Sequence, residues 1–430
     1  METSRRGHLV RSTGIVMAAF VAAKLLGLAR EIVIGRQFGT SGAIDAYYAA
    51  FQIPDLLFTL IAGGALVTAF LPVFTEYLTQ GDTHDAWELA SAVTNLVFLA
   101  TAVLAGIVAL LAPAIVGNVV APGFDPARQA LTVNLMRIIL ISTVVFGVSG
   151  IQMGILNAYQ HFLLPAIAPA MYNLGIIAGA LFLAPRWGVY GLAAGVVIGA
   201  ALHLGVKIPG LVHYGMRYSP VLGLRHAGVR QVAWLMGPRV LALSVVKVTF
   251  LVNTNLASRL GEGSVAALSY GWNLMQLPET VFATAVGIVI FPTLAEFAAR
   301  GQRDALRSAL ADTLRVIFAL TVPAAVGLIV LGRPLIVLLF QRGAFDARST
   351  EMVYFALQFY ALALVGHSVL EIAARLFYAQ QDTLTPFKVA TISMLANIVL
   401  SLALIRVLSY GGLALANGLA FTLEASILLW

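Results

Sequence analysis

The feature that most constrains how this chain can fold is a set of long apolar stretches without a charged side chain. A helix crosses the apolar core of a bilayer in about 20 residues, so stretches of this length predict transmembrane helices. No Asp, Glu, Lys or Arg occurs in residues 89–124, 138–185, 187–206, 316–332, 352–370, 389–405 and 407–423.

The composition excludes the main classes of water-soluble protein. Hydrophobic residues make up 60% of the 430 residues and charged residues only 10%, against about 25% charged in soluble domains. A soluble fold could not bury that much apolar surface, which excludes a soluble enzyme, a disordered chain and a nucleic-acid-binding module. The absence of cysteine excludes disulfides and thiolate metal sites. We therefore predict an all-α polytopic membrane protein.

The apolar stretches and the charged segments between them predict about twelve transmembrane helices. The two longest stretches break at residues 117–122 and 159–164, and each contributes to two helices. At about 35 residues for each pass with its loop, a chain of this length accommodates about twelve passes. Helices that carry charges are expected near residues 13–37, 47–78, 128–158, 231–258, 264–298 and 349–378.

The distribution of arginine predicts a cytoplasmic N-terminus. Arg5, Arg6 and Arg11 precede the first apolar run, which Lys24 interrupts, and an uncleaved first helix is therefore favoured over a signal peptide. Counted from there, the even-numbered loops should be cytoplasmic. Three arginines lie in the loop at residues 213–230 and three more in residues 299–308, as the positive-inside rule requires.

The second half of the sequence repeats the first. Four short matches recur in the same order at offsets of 221 to 224 residues, pairing 52–58 with 276–282, 113–116 with 334–337, 124–128 with 345–348, and 158–165 with 379–386. Six passes in each repeat give both halves the same orientation. We therefore expect two pseudo-symmetric six-helix lobes, residues 1–215 and 216–430, around a central cleft.

Ionisable side chains at bilayer depth are costly and usually functional. Lys24 and Arg30 lie on helix 1, and Asp45 opens helix 2. Lys247 follows Lys24 by 223 residues, so the duplication predicts one lysine on each side of the cleft. Two facing cations suit a phosphate or pyrophosphate better than a drug cation. The alternative is a structural role, in which these cations bond carbonyls or carboxylates between helices.

Other polar residues are interpreted as structural. Asp55 and Glu279 each follow a proline, a position that predicts helix capping. Glu31 points about 100° away from Arg30 on a helix, so an ion pair between them does not follow automatically. Glu371 and Arg375 are predicted to form an i,i+4 pair. His161 and His203 are predicted to pack as polar side chains, and glycine-rich residues 191–199 to allow close helix packing.

Two kinds of site are not expected from the sequence. No His, Asp or Glu cluster has metal-ligand spacing, and no phosphate-binding loop for nucleotides is present. We therefore expect no metal and no cofactor, and any driving force should come from a coupling ion of unknown identity or from the membrane potential.

Several motifs resemble one membrane-protein family. Residues 24–31 resemble its Arg-x-x-Gly-x-x-Arg-Asp stretch, with Lys24 in place of the first arginine. Residues 338–343 read LLFQRG and residues 377–386 read FYAQQDTLTP. These motifs resemble the MurJ (MviN) family of lipid II flippases, within the larger multidrug/oligosaccharidyl-lipid/polysaccharide exporter group. The resemblance runs from helix 1 to the last residue.

The resemblance implies a function that composition alone does not supply. Family members move the undecaprenyl-pyrophosphate-linked peptidoglycan precursor, lipid II, across the bacterial cytoplasmic membrane, and they are not enzymes. Carried over by position, Lys24, Arg30 and Asp45 match residues of the cationic cavity that is thought to hold the head group. With Lys247, the neutral pair Asn273 and Gln276 completes the predicted substrate-binding set. Cell-wall synthesis proteins are candidate partners.

The chain departs from the family pattern in several places. The family has arginine in the stretch that matches Phe58 and Thr59, glutamate where Gly63 stands, and Arg-x-x-Glu where this chain has Asn273 and Gln276. The family also has fourteen helices, so the last two are expected to be missing here. Three alternatives therefore stay open: a flippase for another polyprenyl-linked oligosaccharide, a cation/drug antiporter of the same fold, and a non-transporting wall-synthesis scaffold.

Overall fold

The computed structural model describes the backbone of residues 2–62 and 64–430, and their side chains except in residues 2–18, 20, 62, 64, 65 and 237–246. Throughout these residues the secondary structure is helical, without strands. The helices are α1 (Glu2–Phe38), α2 (Gly42–Thr79), α3 (Thr83–Val120), α4 (Pro126–Ala158), α5 (Leu163–Trp187), α6 (Val189–His213), α7 (Ala227–Ala257), α8 (Ser264–Ala299), α9 (Arg303–Phe340), α10 (Ala347–Ala379) and α11 (Leu384–Leu429).

These helices account for the predicted number of passes. In the described residues, the nine helices α2–α6 and α8–α11 are long and apolar enough to cross a membrane. The last of them, α11, consists of two arms, because Ser409 has a non-helical backbone (φ 50°, ψ −138°). With α11 counted as two arms, the eleven helices of the described residues make twelve helical segments. The predicted all-α polytopic architecture is confirmed.

The chain divides into two compact units. Unit 1 comprises the chain up to Gln37 together with Ala49–Val120 and Asp125–Ser244, and unit 2 comprises Val245–Trp430 with the short pieces Phe38–Tyr48 and Ala121–Phe124. The change from one unit to the other therefore falls within α7. The predicted lobe boundary between residues 215 and 216 lies in the segment between α6 and α7, and it stays a prediction.

Close glycine contacts hold α5 against α6 in unit 1. A Cβ added to Gly179 would lie 2.4 Å from the Cα of Gly195, and one added to Gly175 would lie 2.2 Å from the Cα of Gly199. Such small residues let helix backbones approach closely, which is a main source of helix association in lipid. The packing role predicted for residues 191–199 is confirmed. The sequence predicts the same role for the pair Gly63-Gly64, of which Gly63 lies outside the described residues.

The duplication is visible in the backbone of each half. Gly188 (φ 55°, ψ −140°) ends α5, and 221 positions later Ser409 has nearly the same dihedral angles at the α11 kink. Gln160 and Gln381 have left-handed φ values of 57° and 62°. A π-helical turn at Phe58–Ala62 recurs at Thr280–Thr284. Because each half repeats unusual backbone conformations at matched positions, the internal repeat is structural as well as sequential.

Candidate functional site

Arg30 is fixed in unit 1 by contacts to two polar side chains. Its Nε and Nη2 donate to Glu31 Oε1, and its Nη1 donates to Asn173 Oδ1 on α5 at 3.1 Å. Asn173 in turn donates to the carbonyl of Ala23. The side chains of Arg30 and Glu31 therefore form an ion pair. Their separation of about 100° around the helix did not predict this contact. Glu31 is buried, and pairing compensates the cost of burying its charge.

Lys24 and Lys247 lie in different units. Lys24 is exposed on α1, one residue after the buried Ala23, and belongs to unit 1 with Arg30. Lys247 is half-buried on α7 and belongs to unit 2. The predicted placement of one lysine on each side of a central cleft stays a prediction.

Asp45 caps the start of α8 in unit 2. Its carboxylate accepts hydrogen bonds from the backbone N–H of Gly263 at 2.6 Å and of Ala266 at 2.8 Å, and the residue is only 1% exposed. Gly263 has φ 91°, a left-handed conformation that favours glycine. Because both carboxylate oxygens bind backbone amides, Asp45 positions α8, and direct contact with a substrate would require this cap to open.

Asn273 and Gln276 lie on α8 of unit 2, and both are half-buried. Gln276 is three residues before Glu279, so it lies within one turn of that side chain on a neighbouring face of the helix. The amide groups can donate and accept hydrogen bonds without adding net charge to the bilayer interior. They suit the hydroxyl and amide groups of a sugar better than a free ion.

The prediction that Glu279 caps a helix is wrong. Pro278 lies inside Ser264–Glu279, and the helix continues through the π-helical turn, so no new N-terminus forms there. The Glu279 side chain is instead buried, with Oε1 3.3 Å from His367 Nδ1 on α10. Asp55 does lie in the first turn of a helix, Gln52–Leu57, as predicted. His367 was missed, although an ionisable residue in an apolar run was a signal for it.

A second missed group is a buried lysine in unit 1. Lys207 is 0% exposed, and its Nζ donates to the carbonyl and the hydroxyl oxygens of Ser149 at 2.5 and 2.6 Å. His203 Nδ1 lies 2.7 Å from the same hydroxyl. The predicted polar packing of His203 is confirmed, as is that of His161, whose Nδ1 lies 3.3 Å from the Tyr214 hydroxyl.

Two further predictions about charged residues have different outcomes. Glu371 and Arg375 form the predicted i,i+4 pair, with Nη2 2.5 Å from Oε1. The expectation that no cluster has metal-ligand spacing is wrong for the first turn of α3, where His84, Asp85 and Glu88 place one donor atom each within 4.8 Å of the others. His84 and Asp85 are exposed, and exposed groups of this kind are common without a metal.

These features define the class of the protein. Helices long enough to span a bilayer, repeated in two halves, with buried and half-buried ionisable residues on several of them, are those of a polytopic transporter-type membrane protein. The sequence profile of the family described as "Lipid II flippase MurJ" matches residues 34–430. The chain belongs to the MurJ family.

Individual relatives agree with this assignment. The lipid II flippase MurJ of Burkholderia cenocepacia is 36% identical over 430 aligned residues, covering 98% of this chain and 83% of the relative. A solved structure, "Lipid II flippase MurJ, inward closed conformation", is 27% identical with a TM-score of 0.85, covering 96% of this chain and 86% of that one. An inward-facing MATE transporter of the MOP superfamily shares the fold at 13% identity, with a TM-score of 0.81 and coverage of 97% and 96%.

Proposed function

We propose that this protein is a lipid flippase that moves lipid II, the undecaprenyl-pyrophosphate-linked peptidoglycan precursor, between the leaflets of the bacterial inner membrane. The observation that carries the proposal is the family match across residues 34–430. The relative from Burkholderia cenocepacia, which is named as a lipid II flippase, aligns with 98% of this chain. On this basis the protein is a transporter and not an enzyme.

The pyrophosphate of the substrate would bind to basic side chains. Lys24 and Arg30 on α1 and Lys247 on α7 supply the cations, and charge-assisted hydrogen bonds to phosphate oxygens are about twice as strong as neutral ones. The contact of Arg30 with Asn173 holds its planar guanidinium in one orientation. Asn273 and Gln276 would bind sugar groups, and Asp45 fixes the start of α8, which carries both.

Transport would proceed by alternating access. The head group binds with the polyprenyl tail in lipid, and movement of one lobe against the other then exposes it on the opposite side. We infer a secondary transporter, with a cytoplasmic N-terminus as the arginines of the loops predict. The membrane potential supplies about 2.3 kcal/mol per charge per 100 mV, enough to bias a step that moves net charge.

The first test is complementation of a bacterial strain depleted of its own lipid II flippase. We expect the wild type to restore growth, and Lys24→Ala and Arg30→Ala to lose most or all of this rescue, since each removes a cation from the proposed site. Lys24→Arg should retain rescue. The matched control is Arg303→Ala, which removes an exposed cation at the start of α9, and it should rescue like the wild type.

Membrane expression of each variant must be measured alongside growth. A well-expressed wild type that fails to rescue would contradict lipid II as substrate and would favour another polyprenyl-linked glycan, to which the neutral Asn273 and Gln276 could be adapted. Full rescue by both alanine variants would contradict the cationic site and favour a scaffold that organises cell-wall synthesis proteins. A changed drug sensitivity without a wall defect would favour a cation/drug antiporter.

A further inference from the structure

Two buried carboxyl groups and one half-buried imidazole of unit 2 come from three different helices. Glu279 of α8 lies 3.3 Å from His367 of α10 through Oε1 and Nδ1. The imidazole of His367 also packs edge-to-face on Phe421 of α11, with ring centroids 4.6 Å apart. Glu424 is one turn beyond Phe421 on the same face of α11, and it interacts electrostatically with His367. The imidazole therefore interacts with both carboxyl groups.

Close helix packing keeps this arrangement in place. A Cβ added to Gly366, next to His367, would lie 2.2 Å from Thr422 Oγ1, and one added to Gly418 would lie 2.5 Å from the Cβ of Ala363. The indole of Trp272 on α8 lies 5.5 Å from the imidazole, measured between ring centroids. The neighbouring residues of α9, including Ile317, are apolar and supply no charge.

The charges of the three groups do not balance. With both carboxyl groups ionised and the imidazole protonated, the cluster carries one net negative charge. Glu424 is 9% exposed, and within the described side chains no Lys, Arg or His lies in ion-pair contact with it. The nearby Glu371 and Arg375 neutralise each other. A net charge at bilayer depth costs several kcal/mol, and loss of the imidazole proton would double it.

A small cavity with both apolar and polar side chains in its lining adjoins Glu424. Its volume is about 20 Å³, which is enough for one water molecule. Thr249, Ser393, Asn397 and Asn417 line it together with Glu424. Asn397 and Asn417 are each 1% exposed, and their amide groups include atoms that have no hydrogen-bond partner in the described part of the chain. Unsatisfied buried amides beside a carboxyl group are suited to a hydrogen-bonded path for a proton.

Other ionisable groups around the cluster are few. Tyr378 on α10 interacts with both Glu424 and Glu371. On α7, Lys247 lies two residues before Thr249, which lines the cavity. Neither group is a carboxyl or an imidazole, so among the described side chains the proton-binding groups of this cluster are Glu279, His367 and Glu424.

We propose that Glu279, His367 and Glu424 bind one exchangeable proton and that its passage between the two sides of the membrane drives flipping. This inference rests on the proposed flippase function and names its coupling ion. The proton converts the imidazole of His367, held between the carboxylates of the cluster, to the imidazolium on one side, and the same N–H bond breaks on the other. No other bond forms or breaks, and the site returns to its initial charge after each cycle.

The first experiment measures protonation without any transport. Protonated imidazole quenches the fluorescence of an adjacent indole, so Trp272 reports on His367 in the detergent-solubilised protein. We expect emission to fall along a single sigmoid curve as the pH is lowered. Trp272→Phe and His367→Gln should abolish the transition. Glu279→Gln should change the transition, because it removes the carboxylate that contacts the imidazole.

The control for this titration is His161→Gln, which removes a histidine of unit 1 that lies beside Tyr214. It should leave the curve unchanged. If His367→Gln gives the same curve as the wild type, or if the wild type shows no transition, His367 does not exchange a proton and the proposal is overturned. Circular dichroism of each variant establishes that the helices are retained.

The second experiment measures coupling. Proteoliposomes containing head-group-labelled lipid II are given a pH gradient, while potassium and valinomycin hold the membrane potential at zero. One pH unit is worth about 1.4 kcal/mol per proton, which shifts the leaflet distribution of the probe by up to about tenfold for one proton per cycle. We expect this shift in the wild type, and expect Glu424→Gln and His367→Gln to abolish it.

The outcomes separate the two proposals. If the wild type moves the probe but a pH gradient does not change its distribution, the proton is not the coupling ion and the flippase function stands. If the wild type moves no probe, although Trp272 titrates with His367, the flippase function fails and the proton site stands. A sodium gradient imposed at constant pH should have no effect, and a response to sodium alone would contradict the proposal.

Discussion

At the scale of single residues, the buried ammonium of Lys207 has neutral hydrogen-bond partners and no carboxylate in contact among the described side chains of unit 1. Its partners are the carbonyl and hydroxyl oxygens of Ser149, both neutral. A buried charge is stabilised only when its hydrogen bonds are all satisfied, and replacing it with an apolar side chain of similar volume is often neutral or stabilising. Arg30 differs, because Glu31 provides a formal counter-charge.

We therefore predict opposite effects for two substitutions at this site. Lys207→Met should raise the free energy of unfolding by about 1 kcal/mol, since it removes a buried charge and keeps the volume. Ser149→Ala should lower it by about 2 kcal/mol, because the ammonium loses a hydrogen bond that it cannot replace. Thermal unfolding in detergent measures both changes.

The control for this pair is Lys388→Met, which changes an exposed lysine of α11 and should shift the unfolding free energy by less than about 0.5 kcal/mol. A strong loss of stability in Lys207→Met would show that the ammonium has an essential structural partner, and it would contradict this account of the site.

At the scale of helices, an aspartate caps the N-terminus of the fourth helix in each repeat, α4 in the first and α10 in the second. Asp125 accepts the N–H of Arg128 at the start of α4, and Asp346 accepts the N–H of Ser349 at the start of α10. The backbone N–H of Ser349 is the main reason that the pKa of Asp346 lies below its ordinary value of 3.8. A lowered carboxyl pKa means that the cap is fully formed above the ordinary value and is lost as the pH falls through the folded-state value.

We predict that Asp346→Ala lowers the free energy of unfolding by about 1 kcal/mol at neutral pH. Asp346→Asn should lose only a few tenths, because an asparagine side chain also caps helix ends. Below pH 4 the wild type should lose stability relative to Asp346→Asn, which has no carboxyl group to protonate. Unfolding midpoints between pH 3 and pH 7 measure this, and parallel pH curves for the two proteins would contradict it.

The sequence predicts the positions of the helices better than it predicts the contacts between side chains. The charge-free stretches locate the transmembrane helices, because a helix forms the hydrogen bonds of its backbone groups within its own segment, as lipid requires. The turn at Ser409 marks the join between the last two predicted helices, 389–405 and 407–423, only to within a few residues. The pairs Arg30–Glu31 and Glu279–His367 depend on side-chain direction and on packing between helices, and helical spacing alone could not place them.

At the scale of the whole molecule, the chain consists of two repeats. The repeats have the same backbone conformation even at matched positions that carry different residues. The matched positions Gly188 and Ser409 show this most directly. Both have φ near 50° and ψ near −140°, one between α5 and α6 and the other at the kink of α11. A serine in this region is strained, whereas a glycine is not. The common conformation therefore follows from the repeated fold and not from the residue.

The last prediction exchanges the residues at these two positions. Ser409→Gly should raise the free energy of unfolding by about 1 kcal/mol or more, because it removes backbone strain. Gly188→Ser should lower it by a similar amount, through strain alone, because an added Cβ there meets no atom within 4 Å. Ser426→Gly, in the regular part of α11, is the matched control and should be destabilising by about 0.5–1 kcal/mol. If Ser409→Gly destabilises as Ser426→Gly does, Ser409 has ordinary helical geometry and the two repeats do not share this turn.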